Sequence, residues 1–174
     1  MNTKGKLIIL GSNSPRRKEL LAGLDIDFTV DTGNTFEEVY SPDTEHERIP
    51  EILSEGKSYG FHRSLDDNEI LITSDTLVLC ADHVMGKPHS REEAYDMLRL
   101  LSGREHKVIT AVTVRDNVKC ETVSDTAIVY FKDLTDEEIY YYIDIYKPYD
   151  KAGAYGIQEW IGYMGISKIE GSYF

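Results

Sequence analysis

The chain has 174 residues, 19 Lys and Arg against 31 Asp and Glu, a formal charge of −12 and 41 % hydrophobic residues. Such a composition supports one globular domain over residues 1–174 with a real core, and it excludes an intrinsically disordered chain. The acidic balance also excludes a broad phosphate-backbone binder, so no nucleic-acid partner is expected.

The first predicted element is a strand, Leu7 to Leu10, closed by Gly11. A helix follows: Ser14 suits its N-cap, Pro15 its first position, and Leu20, Leu21 and Leu24 form an apolar stripe. Residues from about 29 to 55 read as polar and weakly periodic, and Ile49, Ile52 and Leu53 suggest a helix carrying Lys57 near its end. Ile70 to Cys80 reads as an apolar strand interrupted by Ser74, Asp75 and Thr76. Ser90 with Glu93 forms a capping box for a helix with Ala94, Met97, Leu98 and Leu101 on its buried face, and Gly103 stands at its C-terminal end. Lys107–Arg115 and Cys120–Phe131 are β-rich, with a hairpin-like turn at Asp116 and Asn117. Thr135 and Glu138 make a second capping box, Pro148 ends that helix, and a Gly-rich loop, DKAGAYGIQ, precedes a last strand ending near Ile169. Strands alternating with helices indicate an α/β fold, and the hairpin-like pair makes its sheet mixed.

No apolar run approaches the ~20 residues of a membrane helix, and the N-terminus lacks a signal peptide's apolar stretch. A cytoplasmic protein with no membrane partner is therefore expected. Cys80 and Cys120 lack CxxC spacing and read as buried free thiols. The five histidines show no zinc-site spacing, and P-loop, dinucleotide and nucleophile-elbow motifs are absent.

Charge is unevenly spread. Residues 1–20 hold Lys4, Lys6, Arg16, Arg17 and Lys18 with one acid, whereas residues 31–55 hold eight acids and only Arg48. Arg16 and Arg17 fall in a helix's first turn, where the macrodipole disfavours cations by roughly 0.3–1 kcal/mol each. A phosphate at that N-terminus would reverse the penalty, because backbone N–H groups, the Ser12 and Ser14 hydroxyls and two guanidinium groups would converge on it. The competing reading is a solvated face that tolerates them. Asp75 sits in apolar sequence and needs a cation or donors, as a metal ligand or general base would have; the alternative is a turn cap between two shorter strands. A hairpin-like return of the chain would bring Lys87 toward it. Glu37 and Glu38 offer hard oxygen ligands to Mg²⁺ or Mn²⁺, or else form an acidic surface loop. Gln158 offers a donor and an acceptor together, suited to a nucleobase edge, unless its loop is simply surface. The twelve tyrosines, Tyr140 to Tyr142 among them, are assigned packing roles.

Four segments, LGSNSPRRKELL at 10–21, SDTLV at 74–78, GKPHSREEAYDMLRLLSGREHKVITAV at 86–112 and DKAGAYGIQ at 150–158, resemble the Maf nucleotide pyrophosphatases in wording, order and spacing. The resemblance runs over nearly the whole chain. It implies an elongated central mixed sheet flanked by helices, two lobes with a cleft between them, a divalent metal cofactor, and a homodimer as the oligomeric state to consider. It also implies that Asp75 is the catalytic carboxylate, Arg16 and Arg17 the phosphate-site arginines beside Ser14, Lys57 and Lys87 the two lysines, and Glu38 a metal-site acid with Asp75. Arg16, Thr76 and Gln158 are similar to the branch acting on dTTP and UTP, so a pyrimidine nucleoside triphosphate is the implied substrate. A nucleotide-sensing regulatory protein linked to cell division, or a nucleotidyltransferase, would use similar groups. Two departures stand out. The opening reads GSNSPRR where the family usually has Ala-Ser before the Ser-Pro, so Gly11 and Asn13 slightly alter the phosphate turn, and the family's pattern continues past Phe174 into a Gly-Leu-Pro segment and a closing helix expected to be missing here.

Overall fold

The computed structural model describes residues 3–174. Seven strands lie in one sheet of order β2-β1-β3-β5-β6-β7, with β4 paired to β3. They are β1 (Leu7–Leu10), β2 (Phe28–Val30), β3 (Glu69–Cys80), β4 (His83–Met85), β5 (Glu105–Arg115), β6 (Cys120–Phe131) and β7 (Ile166–Glu170). Five helices accompany them: α1 (Pro15–Ala22), α2 (Ile49–Tyr59), α3 (Arg91–Leu101), α4 (Asp136–Tyr146) and α5 (Trp160–Gly165). β1 runs parallel to both β2 and β3, while β3–β4 and β6–β7 are antiparallel, so the fold is α/β with a mixed sheet. No helix among the described residues is long and apolar enough to cross a membrane.

The chain forms two compact units. One comprises residues up to Asp75, Thr110–Ser124 and Phe174; the other comprises Thr76–Ile109 and Asp125–Tyr173. In the first, Ile8 pairs with Phe28 and Ile70, and Ile9, Phe61, Leu65 and Leu71 form an apolar core. Ser14 caps α1 by accepting from the Arg17 N–H, with Pro15 in the first turn, as the sequence predicts. The Leu20, Leu21, Leu24 stripe does not become a buried face: no residue of α1 is buried, and Leu20 and Leu24 remain exposed. Gly11 is required by close approach, since a Cβ there would lie 2.9 Å from Thr73 Cγ2.

In the second unit, Val78, Leu98, Leu101, Val129, Ile139, Tyr142, Ile143 and Ile161 build the larger core. The predicted box on α3 is half made. Ser90 accepts from the Glu93 N–H, but the Glu93 carboxylate takes the His89 N–H, one residue ahead of the cap. On α4 both arms close between Thr135 and Glu138. Gly103 follows α3 at φ +69°, the left-handed conformation its position demands. Two short elements, β2 and α5, lie in stretches whose sequence gives no periodic signal. The strand read over Ile70–Cys80 forms as β3, from Glu69 to Cys80, with Ser74, Asp75 and Thr76 inside it and not at a turn between two shorter strands. Cys80 is a buried free thiol as expected, whereas Cys120 is only half-buried.

Candidate functional site

The first unit gathers its charge around the turn after β1. Ser12 is buried, and its hydroxyl accepts from the Ser14 N–H at 3.2 Å and from Arg17 Nη1 at 3.4 Å. Arg17 is thereby folded against the helix start that its own N–H helps to cap. Burial lowers the Arg17 pKa, Asp75 opposes that, Arg16 adds to it, and Glu38 opposes it again. Arg16, Arg17, Glu38 and Asp75 thus share one electrostatic neighbourhood, and the guanidinium stays charged because its pKa starts so high.

Lys57 joins the same neighbourhood because α2 is locked to β3 and β5 by buried hydroxyls. Thr73 Oγ1 donates to the Ser54 carbonyl at 2.8 Å, Ser54 Oγ donates to the Thr73 carbonyl at 3.3 Å, and Ser54 and Thr113 hydroxyls meet at 2.8 Å. Arg115 holds Ser58 through both its hydroxyl and its carbonyl. Three residues after Ser54, and two after Thr73 on the strand, the side chains of Lys57 and Asp75 meet with Nζ 2.5 Å from Oδ1. The same ammonium reaches Glu38 Oε1 at 2.8 Å. Asp75 is therefore neither an unanswered buried charge nor a turn cap.

Sequence pattern does not reveal how Glu38 gets there. A strap from Asp31 to Glu38 is tied to α2 and the residues just after it. Asn34 Nδ2 donates to the Lys57 carbonyl at 2.6 Å and its Oδ1 accepts the Phe36 N–H, while the Thr35 N–H meets the Gly60 carbonyl. Phe36 packs where a side chain on Gly56 or Gly60 would collide: a Cβ at Gly56 would lie 2.2 Å from its ring. Asp31 accepts from the Gly33 N–H and is paired with His62. Asn34, Phe36, Gly56 and Gly60 are positioning residues missed from sequence, because close packing across a strap leaves no periodic pattern.

In the second unit, Thr76 continues β3, Lys87 is exposed two residues beyond β4, and Gln158 is exposed at the tip of the turn from Gly156 to Glu159. The expected return of the chain is real, with Met85 opposite Val78. No group of three or more His, Cys, Asp or Glu able to hold a metal occurs among the described residues. The donor set nearest to one is Glu38 with Asp75, two hard carboxylates converging on the Lys57 ammonium. That set suits Mg²⁺ or Mn²⁺, which take one or two carboxylates and complete their shell with substrate phosphates and water.

The profile of one family, described as Maf-like protein, matches residues 7–174. The chain belongs to the Maf family. Among its Maf relatives, a dTTP/UTP pyrophosphatase of Parabacteroides distasonis is 49 % identical over 99 % of this chain and 90 % of that protein. A dTTP/UTP pyrophosphatase of Flavobacterium johnsoniae is 47 % identical over 95 % of this chain and 85 % of that protein. A solved nucleoside-triphosphatase / dITP/XTP pyrophosphatase from Mycobacterium abscessus gives a TM-score of 0.47 at 15 % identity, covering 74 % of this chain and 75 % of that one. At the turn after β1, the Thr73 methyl group fills the space that a side chain on Gly11 would take.

Proposed function

We propose that this Maf protein hydrolyses dTTP and UTP between the α and β phosphorus, giving the monophosphate and pyrophosphate. The observation that carries the reading is one ammonium, Lys57, bonded to both Glu38 and Asp75 beside Arg17. The relatives' activity agrees with it. A triphosphate brings about four negative charges, and Arg16, Arg17, Lys57 and Lys87 are the cations to answer them. Ser14 and the first turn of α1 would add N–H and hydroxyl donors to the same phosphates.

Glu38 and Asp75 would hold a divalent ion, which would supply neutralisation of the phosphates and of the leaving pyrophosphate. Asp75, the least exposed member of the cluster, holds the attacking water and takes its proton, while Lys57 keeps the two carboxylates apart from each other and in register. Thr76 and Gln158 contribute to base selection, with the carboxamide reading the edge of thymine or uracil. The partner is thus a pyrimidine nucleoside triphosphate, acted on by a single Maf-like domain of residues 1–174 that binds no nucleic acid, works in the cytoplasm and assembles as a homodimer.

The test is pyrophosphate release from dTTP with Mg²⁺ or Mn²⁺ by the wild type and by Asp75→Asn. Loss of about 10²–10⁴-fold in kcat with the fold intact is expected, the range of a proton-transfer group. Unchanged turnover in Asp75→Asn, or tight nucleotide binding without turnover by the wild type, would refute the reading.

A further inference from the structure

The turn that carries Gln158 is clamped at both ends by side chains that the phosphate chemistry does not use. Within the second unit the Glu159 N–H closes the turn on the Gly156 carbonyl at 3.0 Å, and the Gly162 N–H continues from the Glu159 carbonyl at 2.9 Å. Tyr142, fully buried on α4, holds both ends of that turn with one hydroxyl: it accepts the Gly156 N–H at 3.0 Å and donates to Glu159 Oε2. Lys151, 7 % exposed, holds Glu159 from the other side, with Nζ 3.2 Å from Oε1, and bonds Asp150 at 2.7 Å. Gly156 leaves room for this convergence, since a Cβ there would come 3.1 Å from both Glu159 Cδ and Lys151 Cε.

Burying an ammonium against a partly exposed carboxylate is a poor way to gain stability, because desolvation offsets their attraction. Their geometry has another effect. Successive side chains of the turn are sent in opposite directions: Glu159 is tied inward to Tyr142 and Lys151 while Gln158 is left exposed. A carboxamide can flip to match either uracil or cytosine, so its identity alone does not fix the base. A fixed backbone instead sets the place at which a base edge is met, and therefore the size of base that can be accommodated there.

We propose that Tyr142, Lys151 and Glu159 are positioning residues for Gln158, setting the preference for a pyrimidine over a purine triphosphate. The claim rests on the pyrophosphatase reading above. It is tested by the ratio of kcat/KM for dTTP to that for dGTP, measured with Tyr142→Phe, Glu159→Gln and Gln158→Ala, alongside melting temperatures. Tyr142→Phe keeps the ring packing and removes both hydrogen bonds, and the ratio is expected to fall about tenfold through a higher KM for dTTP, with Glu159→Gln changing it in the same direction. Should Tyr142→Phe fail to fold, Glu159→Gln decides alone. A purely structural role would lower the melting temperature and the active fraction for both nucleotides alike. An unchanged ratio in either folded variant, or in Gln158→Ala, therefore overturns the proposal. A wild type that turns over no dTTP, or that shows no pyrimidine preference, fails the pyrophosphatase reading first, and the two failures are distinguished by that control.

Discussion

The two charged clusters of this protein differ in how far the lysine at the centre of each is enclosed, and in what that lysine holds. Around Lys57 the exposure is graded: Glu38 is 61 % exposed, Lys57 20 % and Asp75 14 %, so the charges are paired yet within reach of solvent. Around Lys151 the lysine side chain is 8 % exposed and Tyr142 is fully buried, while the carboxylates they bind, Glu159 and Asp150, are 25 % and 64 % exposed. In the function proposed above, Glu38, Lys57 and Asp75 trade partners with a polyphosphate, and their access to solvent lets water stand in during the exchange. In the second cluster the groups at the centre, the Lys151 side chain and the Tyr142 hydroxyl, are enclosed, where low dielectric strengthens each bond and makes each loss costly.

The contrast breaks most visibly at Lys57. Lys57→Met should cut kcat/KM for dTTP by about 10²-fold, the scale of a charge-assisted hydrogen bond, with only a small fall in melting temperature. A large melting shift with modest kinetic loss would make Lys57 a structural tie like Lys151 instead. On the enclosed side, His106 is 2 % exposed, its Nε2 meets the Tyr155 hydroxyl at 2.7 Å, and its Nδ1 has no hydrogen-bond partner. Burial lowers its pKa to about 4 from 6.5. Because the folded form resists protonation, stability is full above pH 6.5 and falls as acid protonates the unfolded chain, down to about pH 4. Urea unfolding should find the protein about 2 kcal/mol less stable at pH 5 than at pH 7.5, and His106→Leu should flatten that dependence.

Smaller effects sharpen the comparison. Thr113→Val removes the partner of both the Ser54 and Thr122 hydroxyls and should cost about 1–2 kcal/mol in equilibrium unfolding. Since Ser54 helps register α2 on β3, a fall in kcat beyond the stability loss is expected as well. Leu20→Ala, on the exposed face of α1, should change stability by less than about 0.5 kcal/mol in the same experiment.

What could be read from the sequence was local chemistry. The Ser14–Pro15 start, the Thr135–Glu138 box and the glycine after α3 are contained within a few residues, and each formed as the pattern says. Asp75 was legible as an anomaly, a carboxylate in apolar surroundings, although its answer came from Lys57, 18 residues earlier. Glu38 was less legible, because the strap that delivers it depends on Asn34 bonding to the Lys57 carbonyl and on Phe36 fitting over Gly56 and Gly60. The α1 stripe misled because amphipathicity states what a helix offers, not whether anything packs against it. The half-made box on α3 arose because the Glu93 carboxylate bonds the His89 N–H and not that of the cap residue.

The central claim is that the graded cluster around Lys57 serves cleavage at the α phosphorus of a pyrimidine triphosphate. It is tested most directly by following dTTP with Mg²⁺ by phosphorus NMR. Equal amounts of dTMP and pyrophosphate are predicted, with no orthophosphate forming at the start. Release of orthophosphate with accumulation of dTDP would contradict it.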